Sequence, residues 1–564
     1  MKSMGLNAVQ LYVPWNFHEM DFEGTTLDFT SPSRDLVHFL ELIEERDMMI
    51  LLRPGPYICG EWDLGGFPAR LLASPDAKLR TNDKSYMGEV TKWFNVLLPM
   101  LEPHLIQNGG GIVMVQVENE YGSFGDVTTN PDDEAYIRAL VDLMRKHLGP
   151  EVILYTTDGG NYNSMKRGSL PGDVVLTLGD YGPGADFSSS LEGQAKMNPA
   201  SANPAMCTEY YTGWLTHYGE DLAVTETAAM IDTLSSMISQ NISFNLYMAH
   251  GGTSFGFWAG ANGNGGTDYQ PDITSYDYNS PISEDGRHNV GSDGLDKFQA
   301  IKDLLEEHFG PAGSEPSSPV VSTYGEVALD EASVMSLSEE MLSRDPILIS
   351  TATRQEALGQ RFGFTQYSFE TGDCGECGIT LGGIGDYANV YVDGKFSLAA
   401  FRDDGPATLT TKANQKIDIL VEGMGRINFS QGIYDRKGLQ TVKLDGVEVQ
   451  GLEHRMVELT KADMGAIEYV RRGAEDSSAR FYRGKWTAET ASATYVDVSN
   501  FGKGYVFINS FNLGRFWTKK GPVLTLFVPS EVVVEGINEI IVLELEEGEE
   551  AGASVALVDK PVFL

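Results

Sequence analysis

The sequence predicts an α/β plus all-β chain: a (β/α)8 barrel of the TIM type that lacks its first strand, followed by two β-sandwich domains. Three observations predict it. Seven short apolar runs precede residue 250, most of them separated by helical patterns, as in a parallel sheet wrapped by helices. A stretch rich in Pro, Gly and Ser, from Phe309 to about Ser322, then breaks the pattern. Beyond it apolar residues recur with a period of two, and Asp393-Gly394 and Asp445-Gly446 mark hairpin turns.

Taken in order, Met1-Lys-Ser-Met-Gly5 reads as the last turn of a helix, capped by Gly5 and running straight into a strand. The element expected to be absent is therefore the first strand with most of its helix, and the missing leader segment says nothing about compartment. The seven runs are Ala8 to Val13, Met49 to Leu52, Ile112 to Val117, Val152 to Tyr155, Val174 to Leu178, Ala205 to Thr208 and Ile242 to Met248. Between them, Asp35 to Glu45 carries Leu36, Phe39, Leu40 and Ile43 on one helical face, with Pro32 just ahead. A second helix, from about Glu134 to Leu148, carries Ile137, Leu140, Val141 and Met144 and stops at Gly149. An open doubly wound sheet has the same periodicity, but it would not bring the ends of the Ile112 and Ala205 strands to face each other across a cavity.

The expected domains are a barrel over 1–310, a linker over 311–344, and β-sandwiches over 345–460 and 461–564. A weak repeat supports two similar sandwiches: Val390-Tyr-Val-Asp-Gly394 resembles Val506-Phe-Ile-Asn-Ser510, and the run from Asn414 to Glu422 resembles that from Asn538 to Glu544.

Composition narrows the function. At 42% hydrophobic and 21% charged the chain is globular, and its formal charge of −39 argues against nucleic acid or an anionic membrane as partner. No apolar run reaches the length of a membrane span. The four cysteines are too few for a disulfide scaffold and lack zinc-site spacing. Cys374-Gly-Glu-Cys377 stands alone in a Gly-rich loop, read as incidental or locally disulfide-bonded in preference to metal or redox work. No His, Cys and Asp cluster has metal-ligand spacing, so neither metal nor cofactor is predicted.

The chemistry concentrates at strand ends. Ile112 to Gly122, IVMVQVENEYG, is a greasy strand ending in carboxylates, an amide and a phenol. By alternation Val113, Val115 and Val117 face one way, and Met114, Gln116, Glu118 and Glu120 the other. A second such strand runs into Thr208-Glu209-Tyr-Tyr. Two carboxylates at the carboxyl ends of barrel strands are what acid-catalysed acetal cleavage requires, one arriving protonated and one ionised. Glu120 is assigned as acid/base and Glu209 as nucleophile. The stretches at and after the other strand ends supply Tyr12, Glu61 and Tyr278, aromatic faces for a pyranose and polar groups for its hydroxyls. Glu118 is expected to be a buried partner of Arg53, and His18 and His250 to hold loops. Two Asn-X-Ser sequons, at Asn241 and Asn428, are about what chance gives.

The sequence resembles glycoside hydrolase family 35, the β-galactosidases of the lysosomal acid type. The likeness rests on NAVQLYVPWNFHE, RPGPYICGEWDLGGFPARLL, QVENEYGS, TEYYTGWLTHYG, HGGTSFGF, SYDYNSPISEDG, FNLGRFW and GPVLTLFVP. It implies a retaining exo-β-galactosidase with jelly-roll, galactose-binding-like sandwiches after the barrel. Galactose would be held by Tyr12, Gly60, Glu61, Asn119 and Tyr278, with Trp214 close by. A lysosomal, vacuolar or extracellular location is likewise a family expectation. The residues alone leave open another exo-β-glycosidase, such as a β-glucosaminidase, and a carbohydrate-binding protein or fragment without turnover.

Overall fold

The first turn forms as the sequence implies: Lys2–Met4 is a 3-10 helix closed by Gly5 at φ 101°. The structure is a computed structural model, and it describes residues 1–170, 175–185, 187–265, 268–333, 346–472, 480–546 and 552–564. Each of the seven apolar runs yields a strand: β1 Ala8–Tyr12, β2 Met49–Arg53, β3 Ile112–Gln116, β4 Leu154–Gly159, β5 Leu176–Tyr181, β6 Met206–Tyr211 and β7 Ser243–Tyr247. Val174, which the fifth run included, lies outside the described residues.

These strands form one parallel sheet in the order β1 to β7, so each pairs with its neighbour in sequence. β1 and β7 are its edges, and both line a cavity of about 280 Å³ between them. Asn245 on β7 donates to Gln10 on β1 at 2.8 Å, linking the two edges. Helices cover the outer face. Asp35 caps Leu36–Glu44 by accepting from the His38 amide, and Leu36, Leu40 and Ile43 enter the core. Pro131–Leu148 begins three residues earlier than its apolar pattern, because Asn130 caps it and Pro131 takes the first position, where a missing N–H leaves nothing unsatisfied.

Two β-sandwiches follow. The first has a six-stranded and a four-stranded sheet drawn from Ile347–Ile349 through Leu452–Val457, around a core that includes Tyr367, Ile379, Val390, Ile419 and Val442. The second has the same six-plus-four arrangement. The internal repeat is structural: Tyr387–Val392 lies between Lys416–Glu422 and Lys395–Phe401, and Lys503–Ile508 lies between Gly536–Glu544 and Phe511–Trp517. Both hairpins slip register at the matching place, Val390/Tyr391 and Val506/Phe507.

One boundary differs from the sequence expectation. Residues 311–344, expected as a linker, include Gly325–Ala328 and Glu331–Ser333, which pair with Ser554–Val558 and Arg480–Ala488 in the second sandwich. Burial of Val327, Leu329 and Ala332 drives that pairing, and the run is too short to show a clear period in sequence. Residues 334–344 of the expected linker lie outside the described residues.

The first sandwich is joined to the barrel by a buried charge cluster, in which Arg426 reaches Asp63 at 3.0 Å and Glu356 at 2.7 Å. Beside it, Tyr57 donates to the Asn428 carbonyl at 2.5 Å and the Cys59 thiol to Asn428 Oδ1 at 3.3 Å. Asn428 is wholly buried, so that sequon presents no acceptor amide to solvent in the folded chain. Cys374 and Cys377 are bonded to each other, which decides that spacing in favour of a local disulfide. Among the described residues no helix is long and apolar enough to cross a membrane, and no group of His, Cys, Asp and Glu could hold a metal ion.

Candidate active site

β3 ends at Gln116, and the chain leaves it through two left-handed residues, Glu118 at φ 61° and Glu120 at φ 45°. Strict alternation therefore fails beyond Gln116. Gln116 stays in the barrel, donating to Asn119 Oδ1 at 2.9 Å, while Glu118 swings out to a bidentate pair with Arg80 at 2.8 Å per contact and accepts from Tyr136 of Pro131–Leu148 at 3.2 Å. The expected Arg53–Glu118 pair is thus not formed. The same turn that withdraws Glu118 brings Asn119 and Glu120 into the barrel mouth, and Arg80 clamps it by donating to the Asn119 carbonyl at 2.7 Å.

Arg53, at the end of β2, instead faces the end of β6. Its Nη1 lies 2.5 Å from Glu209 Oε1 and donates to Gln10 Oε1 at 3.1 Å, and its Nη2 donates to Asn119 Oδ1. Tyr12 also donates to Glu209 Oε1, at 3.2 Å. The Tyr211 hydroxyl lies 3.4 Å from Glu209 Oε2 and 3.0 Å from Asp180 Oδ2, within hydrogen-bond reach of both carboxyls.

The two carboxylates thus sit in unlike surroundings. Glu209 touches a guanidinium and two phenols. Glu120 accepts only the Asn119 amide, at 3.2 Å, among the contacts described. Burial pushes the Glu120 carboxyl well above its ordinary range, and the negative charges of Glu209, Asp180 and Asp158 push the same way against Arg53.

One cavity of about 170 Å³ gathers all eight residues singled out from the sequence: Tyr12, Gly60, Glu61, Asn119, Glu120, Glu209, Trp214 and Tyr278. Cys59, Gly60 and Glu61 take left-handed conformations in succession at φ 59°, 69° and 48°, a tight turn that aims Glu61 inward. Glu61 accepts from Tyr276 and, at 3.5 Å, from Tyr247, and burial raises its carboxyl. Tyr278 is held at φ 64°, and its carbonyl lies where a Cβ on Gly213 would sit, 1.7 Å away. A glycine at 213 is what lets the loop after β6 close on Tyr278, placing Trp214, half exposed, at the rim. His18 ends the short helix Trp15–His18 and His250 lies in a loop, their Nδ1 atoms 2.8 Å from the Asp28 carbonyl and 3.4 Å from the Ile282 carbonyl.

The cavity also contains Cys59, Tyr211, Leu215, Tyr247, Asn262 and Phe429, which the sequence reading did not select. Tyr211 was within reach of it, since a residue two after Glu209 on one strand shares its face. Phe429 was not: it comes from the first sandwich, more than 200 residues after Glu209 in the chain.

Comparison with known proteins places the chain in a family. Residues 1–308 match the profile of Glycosyl hydrolases family 35. The chain belongs to that family. Residues 353–458 match "Beta-galactosidase, first all-beta domain" and residues 479–538 "Beta-galactosidase, galactose-binding domain", so the family 35 barrel and both sandwiches are represented. The family 35 chain is 37% identical to Beta-galactosidase 17 of Arabidopsis thaliana, over 96% of its own length and 81% of that protein. It is 36% identical to Beta-galactosidase of Bos taurus and 35% identical to Beta-galactosidase of Homo sapiens, over its whole length and 88% and 85% of theirs.

Proposed function

We propose that this family 35 glycoside hydrolase is a retaining exo-β-galactosidase, with Glu120 as acid/base and Glu209 as nucleophile. The observation that carries the reading is the contrast between the two carboxyls in one cavity: Glu120 partly buried and, among the described residues, in no ion pair, Glu209 against Arg53 and Tyr12. The first environment favours the protonated form of Glu120, the second holds Glu209 against a guanidinium and a phenol, and retaining hydrolysis needs an acid and a nucleophile.

In the first step Glu209 attacks the anomeric carbon and Glu120 gives its proton to the departing glycosidic oxygen, leaving a glycosyl ester. Esterification removes the Glu209 charge, which relieves one cause of the raised Glu120 carboxyl and fits Glu120 to take a proton from water in the second step. Asn119, oriented by Arg53 and Gln116, is placed for the sugar 2-hydroxyl, where a hydrogen bond strengthens as the ring flattens. Glu61, backed by Tyr276 and Tyr247, and Tyr12, Gly60 and Tyr278 hold the remaining hydroxyls, and Trp214 offers its exposed face at the rim. The choice of galactose is supported by the relatives' names. Release of 4-nitrophenol from its β-galactoside, set against its β-glucoside, tests it: preference for the galactoside is expected, and preference for the glucoside overturns it.

A further inference from the structure

Asp180 is a carboxylate that this two-residue mechanism does not use, although it stands beside the nucleophile. It is the penultimate residue of β5, in register with Glu209 on β6, and is buried. Its Oδ2 lies 3.0 Å from the Tyr211 hydroxyl, which is in turn 3.4 Å from Glu209 Oε2. A phenol has one proton to give. If Asp180 is ionised, Tyr211 must donate to it and turns lone pairs toward Glu209. If Asp180 is protonated, its own O–H donates to Tyr211, which frees the phenol proton for Glu209 Oε2. The direction of one hydrogen bond at the nucleophile is thus set by one neighbouring carboxyl.

We propose that Asp180 is a positioning residue for the second chemical step, its carboxyl proton holding the Tyr211 hydroxyl toward Glu209. The inference rests on the roles given above to Glu120 and Glu209. In that step a water oxygen bonds to the anomeric carbon, the bond from that carbon to the Glu209 oxygen breaks, its electron pair returns to Glu209, and the water proton goes to Glu120. Negative charge therefore grows on the Glu209 carboxylate, and a donor aimed at it stabilises the departing group. Tyr211 is that donor only while Asp180 keeps its proton.

The surroundings favour the proton. Burial first, and the charge of Glu209 second, push the Asp180 carboxyl up to about 7. Against these the Tyr211 hydroxyl and the Gly160 amide favour the ionised form. The other titratable groups facing it are Glu120 after β3, Asp158 on β4, Tyr181 on β5 and Cys207 on β6, and no cation is among them in the described residues. Esterification removes the Glu209 charge but leaves the burial.

The test uses 2,4-dinitrophenyl β-galactoside, whose leaving group needs no acid, so that kcat reports ester hydrolysis and kcat/KM reports ester formation. Asp180→Leu and Tyr211→Phe are each expected to lower kcat about 10- to 100-fold, the worth of one hydrogen bond to a charged group, with kcat/KM changed about three-fold or less. Asp180→Asn, whose amide can donate to Tyr211 at every pH, restores kcat at pH 5. Its pH profile is the sharper reading. A general base in ester hydrolysis gives no alkaline fall, so the alkaline fall of kcat expected in the wild type belongs to Asp180 and disappears in Asp180→Asn. The proposal is overturned by a wild-type kcat without an alkaline fall, by the same fall in Asp180→Asn, by equal losses of kcat and kcat/KM, or by full activity in Asp180→Leu. A wild type that hydrolyses no β-galactoside would instead overturn the parent reading.

Discussion

The Arg80–Glu118 pair, which replaces the pairing the sequence favoured, gives a quantitative test of how the acid/base loop is held. Both side chains are buried, and Arg80 makes two contacts of 2.8 Å to the Glu118 carboxylate and one of 2.7 Å to the Asn119 carbonyl. Replacing Arg80 by Met leaves Glu118 as a buried charge, a loss of about 3 to 5 kcal/mol in comparable pairs. Glu118 still accepts from the Asn119 amide at 2.6 Å and from Tyr136 at 3.2 Å, so the lower end, about 3 kcal/mol, is expected. Arg80→Met with Glu118→Gln removes the stranded charge and should be destabilised by only about 1 kcal/mol relative to wild type, an apolar–polar exchange without an orphaned ion. The assay is urea unfolding of wild type, both single variants and the double variant, read as a double-mutant cycle. A coupling of at least about 2 kcal/mol is expected, larger by whatever Glu118→Gln loses in stranding the buried Arg80 charge, and activity in Arg80→Met should fall as the Asn119–Glu120 turn loosens. Additive losses in the cycle would refute the reasoning.

Three further outcomes follow from the site. Because the folded chain holds the Glu120 proton more tightly than the unfolded chain, this group favours folding most at low pH, and its contribution declines as pH rises past 4.5 toward the raised folded value. Glu120→Gln should therefore gain Tm relative to wild type as pH rises above that point, and a pH-independent difference would argue against a buried neutral acid. Gly213→Ala drives a methyl into the Tyr278 carbonyl, and kcat/KM should fall about 100-fold, the scale of a misplacement near 1 Å, with the fold retained by circular dichroism. Glu61→Gln weakens a charged acceptor for sugar hydroxyls and should lower kcat/KM about 10- to 100-fold while the protein unfolds at an unchanged or higher temperature, since a buried ionisable group is removed.

How much of this was legible in the sequence depended on whether the signal was local. The seven strands were, because each is an apolar run bounded by polar loops, and Glu120 and Glu209 stood out as carboxylates following two of those runs, which the fold brings into one cavity. Glu118 was misplaced because period-two alternation holds only while the backbone stays extended, and left-handed residues at 118 and 120 end it. Arg80 carried no signal as its partner, since a loop residue 38 positions away is brought there by tertiary packing alone. Phe429 was invisible for the same reason on a larger scale, as a different domain supplies it. The strands Gly325–Ala328 and Glu331–Ser333 were hidden by their shortness, their pairing being set by the sheets at the far end of the chain.

The central claim is that Glu209 forms the glycosyl ester. Incubation with 2,4-dinitrophenyl 2-deoxy-2-fluoro-β-galactoside, whose fluorine slows ester hydrolysis more than ester formation, followed by peptide mass spectrometry, tests it directly. The account predicts one fluorogalactosyl group per chain, on the peptide that carries Glu209, and none in Glu209→Gln. A label on Glu120 or Glu61, or no label on an enzyme that turns over the parent galactoside, would contradict it.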